Sequence, residues 1–222
     1  CLGATTALLA AIIIAPLIQN ARADDAYAMK ASLNYRLGYV LTGDPEVDAM
    51  SRAGLKGLTR ILKERTAVEP GEPMAVDIES DEIAFFPLLY WPVTSGQSQL
   101  SARALDKVDT FMRNGGTIVF DTRDQDTALP LTTGRTASGS QILRRMLSGL
   151  DIPPLQPLNQ EHVLTRAFYL LRSFPGRSQS TQLWAESVSA ASSRDGVAAI
   201  FIGDGDWASA WSGQAGVSDR QR

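Results

Sequence analysis

Thr117-Ile118-Val119-Phe120 is apolar throughout and runs straight into Asp121-Thr122-Arg123-Asp124. A short strand with no polar face has to be covered on both sides. That is the signature of a parallel sheet sandwiched between helices rather than of a solvated hairpin. The same reading applies to Val197–Ile202, which meets Gly203-Asp204-Gly205-Asp206-Trp207. It applies also to Ile83–Tyr90, which is interrupted only by Pro87. Proline cannot donate to a ladder, so Pro87 is expected at an edge or a bulge.

Helical stretches separate these runs. Asp44 is a good N-cap, with Pro45 at the first helical position and Glu46 and Asp48 in the first turn. Val47, Met50, Leu55, Leu58, Ile61 and Leu62 recur at helical spacing, predicting a helix to about Arg65. Ser101 opens a second helix with Leu105, Val108, Phe111 and Met112 inward, closed by Asn114-Gly115-Gly116. Ser138–Leu150 is a third, with Ile142, Leu143, Met146 and Leu147 inward. Leu33–Thr42 and Met74–Ile78 are further strand candidates, and Pro153, Pro154 and Pro157 read as a stiff linker. His162–Leu171 is apolar and fits either helix or strand. Strands alternating with helices predict an α/β domain with a mainly parallel sheet over residues 24–222.

Residues 1–23 stand apart. Leu2–Ile18 is nearly all apolar, and no charge occurs before Arg22. As a helix this stretch spans about 25 Å, against a hydrocarbon core of about 30 Å. A membrane anchor whose upstream flank is missing, a signal-peptide core ending at Ala21-Arg22-Ala23, and a buried helix are the three readings. The chain starts at Cys1, not Met, which reads as a fragment or a processed product, and it ends on polar Ser218-Asp219-Arg220-Gln221-Arg222, where truncation is expected.

Composition removes several functions. Lys and Arg number 21 against 24 Asp and Glu, so no basic excess is available to neutralise phosphates, and nucleic-acid binding is not expected. One Cys and one His leave no zinc or iron–sulfur ligand set, and no metal site or cofactor is expected. The only cysteine is Cys1, so residues 24–222 hold no thiol nucleophile. There is no G-x-S-x-G elbow and no Walker-type loop. Gly203-Asp204-Gly205-Asp206-Trp207-Ala208 matches G-x-G-x-x-A, but late in the chain and with two carboxylates that would repel a pyrophosphate.

In open α/β sheets, ligands bind beyond the carboxyl ends of the strands. Tyr90-Trp91, Asp121–Asp124 and Asp204–Trp207 all fall there. Asp121 could polarise water or substrate and Arg123 could hold an anion; equally, an Asp–Arg pair could simply fix the loop. His162, the sole imidazole, is either a general acid or base or a structural hydrogen-bonding residue. The ligand-binding candidates are Tyr90, Trp91, Arg123, Asp124, Asp206 and Trp207. The catalytic candidates are Asp121 and His162.

Four segments together resemble a known family. They are Arg36–Gly43, Phe85-Phe86-Pro87-Leu88-Leu89-Tyr90-Trp91-Pro92, Gly115–Asp124 and His162–Leu171. In order, they resemble the bacterial domain of unknown function 4159, over about residues 33–222. The resemblance implies a flavodoxin-like three-layer sandwich of the class I glutamine amidotransferase-like type. It also implies a C-terminal position in membrane proteins whose N-terminal part is similar to the aerotolerance regulator BatA, with a hydrophobic helix just before the domain. Active amidotransferases carry a Cys in the turn after the strand that here ends at Phe120; this chain has Asp121-Thr122, so that activity does not carry over. The expectation is a bacterial, membrane-anchored, non-catalytic module binding a small ligand or an envelope protein partner at a cleft of Tyr90, Trp91, Asp121, Arg123 and Asp206. The alternative is a hydrolase in which Asp121 and His162 activate water. A purely structural envelope domain is the third reading.

Overall fold

The computed structural model describes residues 27, 29, 35–124, 138–150, 152, 154–158, 176, 182–186 and 198–213. Local signals set the first unit. Strand β1 (Gly38–Val40) leads into a turn at Gly43, whose φ of 81° suits a residue without Cβ. The Asp44 carboxylate accepts the N–H groups of Glu46 and Val47 and so starts helix α1 (Pro45–Arg65). Lys63 and Arg65 close α1 with the charge sign its carboxyl end favours. Strands β2 (Met74–Val76) and β3 (Leu88–Pro92) follow. Ser101 then caps helix α2 (Ala102–Arg113), and Gly115 at φ 89° turns the chain into β4 (Thr117–Asp121). Helix α3 (Gly139–Met146) is capped by Ser138. Strands β5 (Leu155–Pro157), β6 (Leu183–Glu186) and β7 (Ile200–Gly203) precede helix α4 (Trp207–Ser212).

The seven strands form one sheet in the order β2-β1-β3-β4-β7-β6-β5. The pairs from β2 through β7 are parallel; β7–β6 and β6–β5 are antiparallel. Side-chain alternation along the strands separates two cores. Val40, Leu89, Trp91, Ile118 and Phe120 point to one face and are covered by Val108, Phe111 and Met112 of α2 and Ile142, Leu143 and Met146 of α3. Tyr39, Tyr90 and Val119 point to the other face, beneath Leu55 of α1 and Trp207 and Ala208 of α4. Helices α1 and α4 touch closely because Gly54 leaves room: a Cβ there would stand 2.4 Å from the Ala208 carbonyl oxygen.

Three expectations need correction. Ile83–Phe86 is not strand but a turn, closed by the Phe86 N–H on the Ile83 carbonyl, and β3 begins only at Leu88. Pro87 therefore sits just ahead of an interior strand, where no ladder donor is needed from it, and its carbonyl accepts the Thr117 N–H. The proline-rich stretch expected as a linker contributes β5, the last strand of the sheet among the described residues, where proline is tolerated. Strand β6 was not anticipated at all. The apolar segment 2–18 lies outside the described residues. Among the described residues no helix is long and apolar enough to cross a membrane.

Candidate functional site

Strands β4 and β7 are parallel neighbours, with Asp121 in register with Gly203. The helices that follow them leave in opposite directions. Helix α3, after β4, packs on one face of the sheet, and α4, after β7, on the other. Such a divergence opens a crevice at the carboxyl ends of the two strands. The Thr122 N–H bonds the Gly203 carbonyl at 2.7 Å and pins the two strand ends together.

Asp121 stands on the α4 side of that crevice and is fully buried. Its carboxylate accepts four hydrogen bonds. Oδ2 takes the Tyr90 hydroxyl at 2.8 Å and the Trp207 N–H at 2.7 Å. Oδ1 takes the N–H groups of Arg123 and Asp206, each at 3.2 Å. Register explains the first contact: Tyr90 pairs with Val119, so Asp121, two residues on, is its diagonal neighbour on the same face. Two of the donors come from residues in the left-handed region, Arg123 at φ 53° and Asp206 at φ 45°. Non-glycine residues enter that region at a cost, so the carboxylate organises both turns that surround it. Asp206 is buried too, and Arg123 Nε approaches its Oδ1 at 3.8 Å.

Burial dominates the electrostatics of this knot. Desolvation pushes the Asp121 carboxyl up to about 6, the bonds from Trp207 and Tyr90 pull it down, and the Asp206 charge raises it again. The Tyr90 hydroxyl is held well above its ordinary value, first by burial and then by the Asp121 charge.

Of the residues expected in one cleft, Tyr90, Asp121, Arg123, Asp206 and Trp207 do converge. Trp91 does not. Adjacent strand residues point to opposite faces, and Trp91 lies in the α2–α3 core with its ring 5.2 Å from that of Phe120. Asp124 turns to α3, where its carboxylate accepts the N–H groups of Gly139 and Ser140 at the helix start. Close approach explains Gly139: a Cβ there would collide with the Thr122 carbonyl. His162 lies outside the described residues, five positions beyond the last residue of β5.

The open space lies on the other side of the crevice. A pocket of about 700 Å³ is bounded by Thr122 and Asp124 after β4, Ile202, Gly203 and Asp204 at the end of β7, Ser140, Leu143 and Arg144 on α3 with Leu147 just beyond it, and Ile152, Leu155, Gln182 and Trp184 toward the antiparallel strands. Its size suits a small organic ligand. Its floor is apolar and its rim polar. Of the sequence candidates only Asp124 lines it. Ser140, Arg144, Gln182 and Trp184 carry no site signal in the sequence: the first two read as ordinary solvated positions of a helix, and the other two belong to or adjoin β6; Asp204 figures there only as part of the strand-end cluster. A second pocket, of about 590 Å³, lies at the opposite end of the sheet beside Tyr35, Pro87 and Gly116, away from the strand ends where α/β sheets bind ligands. Among the described residues no group of three or more His, Cys, Asp or Glu is placed to hold a metal ion.

The model of one family, the domain of unknown function DUF4159, matches residues 36–222, most of the chain. The chain belongs to that family. No curated protein matches it. The DUF4159 match spans both sides of the crevice, the Asp121 knot and the pocket under α3 alike.

Proposed function

We propose that this DUF4159 domain is a non-catalytic module of the bacterial cell envelope, tethered to the membrane, that binds a small ligand in the pocket between α3, β6 and β7. The observation that carries this reading is the contrast at the crevice. The Asp121 carboxylate at the carboxyl end of β4 is buried and holds four donors, while the space that could take a ligand lies beside it. The parallel strands run β2-β1-β3-β4-β7, the 2-1-3-4-5 order of flavodoxin-like sheets, which favours the amidotransferase-like sandwich implied by the sequence. In that frame Asp121-Thr122 occupies the position of the nucleophile, and residues 24–222 contain no cysteine to replace it. Asp121 is also a poor general base. Its lone pairs are committed and no face of it meets solvent. That weighs against a hydrolase of Asp121 and His162. The tether rests on the apolar run Leu2–Ile18.

The test is a turnover assay on glutamine, esters and glycosides, run alongside a ligand screen read at Trp184 and Ile202 by NMR. Absence of turnover together with ligand-dependent shifts at those two residues is the expected result. Turnover that disappears in Asp121→Asn would replace the proposal with the hydrolase.

A further inference from the structure

We infer that the pocket takes a small amphiphilic acid, an apolar body bearing one carboxylate that pairs with Arg144. This rests on the ligand-binding reading above and names its ligand class. The body is set by the floor, where Leu143 of α3 and Leu147, the residue after its last, face Ile202 of β7. Trp184 stands at the wall with 41% of its surface exposed, a large share for an indole, and offers a ring face to an apolar or aromatic group.

The head group follows from which polar atoms are already committed. The two carboxylates at the rim are engaged. Asp124 holds the Gly139 and Ser140 N–H groups at the start of α3, and Asp204 accepts the Gln182 N–H. Asp124 therefore fills the helix N-terminus, where an anion would otherwise sit, and that helix end offsets part of its charge. Arg144 is different. It lines the pocket one turn beyond Ser140, and among the described residues its guanidinium makes no hydrogen bond or ion pair. A guanidinium presents a planar fork of donors that matches a carboxylate in two parallel bonds. Its neighbour Arg145, by contrast, donates to the Gln97 carbonyl, outside the pocket.

The experiment uses three probes with one body and different heads: 4-phenylbutanoate, 4-phenylbutylammonium and 4-phenylbutanol. They are titrated into the full 222-residue chain labelled with 5-fluorotryptophan. The Trp184 fluorine signal is assigned from Trp184→Phe. The carboxylate is expected to move that signal with a Kd at least tenfold below the other two, and Arg144→Gln should abolish the difference. Arg144 is exposed, so the variant should keep the wild-type signals of Trp91 and Trp207, which checks its fold. If the alcohol or the ammonium binds as tightly as the carboxylate, or the preference survives Arg144→Gln, the acid class is wrong while the ligand pocket stands. If no probe moves Trp184, the inference fails together with the ligand pocket beneath it.

Discussion

Asp121 and Asp124 are three residues apart, one the last residue of β4 and the other just beyond it, and both accept backbone N–H groups, yet they belong to different kinds of site. The first is sealed beneath α4 and acts inward, gathering donors from β3, its own turn and the start of α4. The second closes the start of α3 and borders an open pocket. One side of the crevice is a knot that holds the fold together, and the other leaves polar groups and space to spare. A carboxylate at a strand's carboxyl end is thus not evidence of chemistry by itself. What decides is whether its lone pairs are already taken.

The sharpest way to break this contrast is Asp121→Ala. Four donors around a buried site would lose their acceptor at once, and Asp206 would remain buried with one partner fewer in its turn. Removing one member of a buried, charge-assisted network typically costs about 3–5 kcal/mol. Urea unfolding should show a loss in that range. A loss under about 1 kcal/mol would mean that Asp121 is not the keystone described here, and the case for a functional role would reopen.

The pH dependence is next in size. The Asp121 carboxyl keeps its proton up to about pH 6 in the folded chain, against 3.8 for an ordinary aspartate. The folded state therefore binds the proton more tightly than the unfolded one. Its contribution to stability is full below about pH 4 and is lost as pH rises through 6. Two pKa units correspond to about 3 kcal/mol. Other carboxylates titrate in the same window, and Glu79, held low by its hydrogen bonds from Ser101, works with the opposite sign. The measurement is thus a difference: wild type should lose stability from pH 4 to 7 relative to Asp121→Asn. Parallel pH profiles for the two proteins would show that burial does not govern this carboxyl.

Much of the fold was legible because local chemistry and long-range packing agree. The cap at Asp44, the Ser101 cap and the inward stripe Ile142, Leu143, Met146 all stand where the sequence puts them. The apolar run before Asp121 is a strand covered on both faces. The antiparallel part was harder to read. Leu183-Trp184-Ala185-Glu186 has two residues of low strand propensity and no clear alternation, so its pairing with β7 supplies what its own sequence does not. The site was half legible for a related reason. Polar clusters mark the end of the sheet where the Asp121 knot and the pocket lie, but the sequence reading puts Tyr90 and Trp91 in one cleft although a pleated strand sends neighbours to opposite faces. Arg144 carried no signal, since on a helical pattern it reads as one more solvated charge.

The smallest expected effect tests the open side. Trp184→Ala removes the largest side chain at the pocket wall, on a strand near the sheet's end. A buried tryptophan truncated to alanine costs about 3–5 kcal/mol. Trp184 is partly exposed and lines a space rather than filling one. Its loss should cost less than about 1 kcal/mol, in the range of surface substitutions. The same urea titration used for Asp121→Ala checks it, and the comparison is internal to one sheet. If Trp184→Ala unfolds the chain as severely as Asp121→Ala, the indole is part of the core that joins β6 to β7, and the pocket is a gap in packing. If the loss is small, the chain keeps a large, exposed aromatic at a strand-end crevice that folding does not require. A ligand that rests on the ring would give that residue a role.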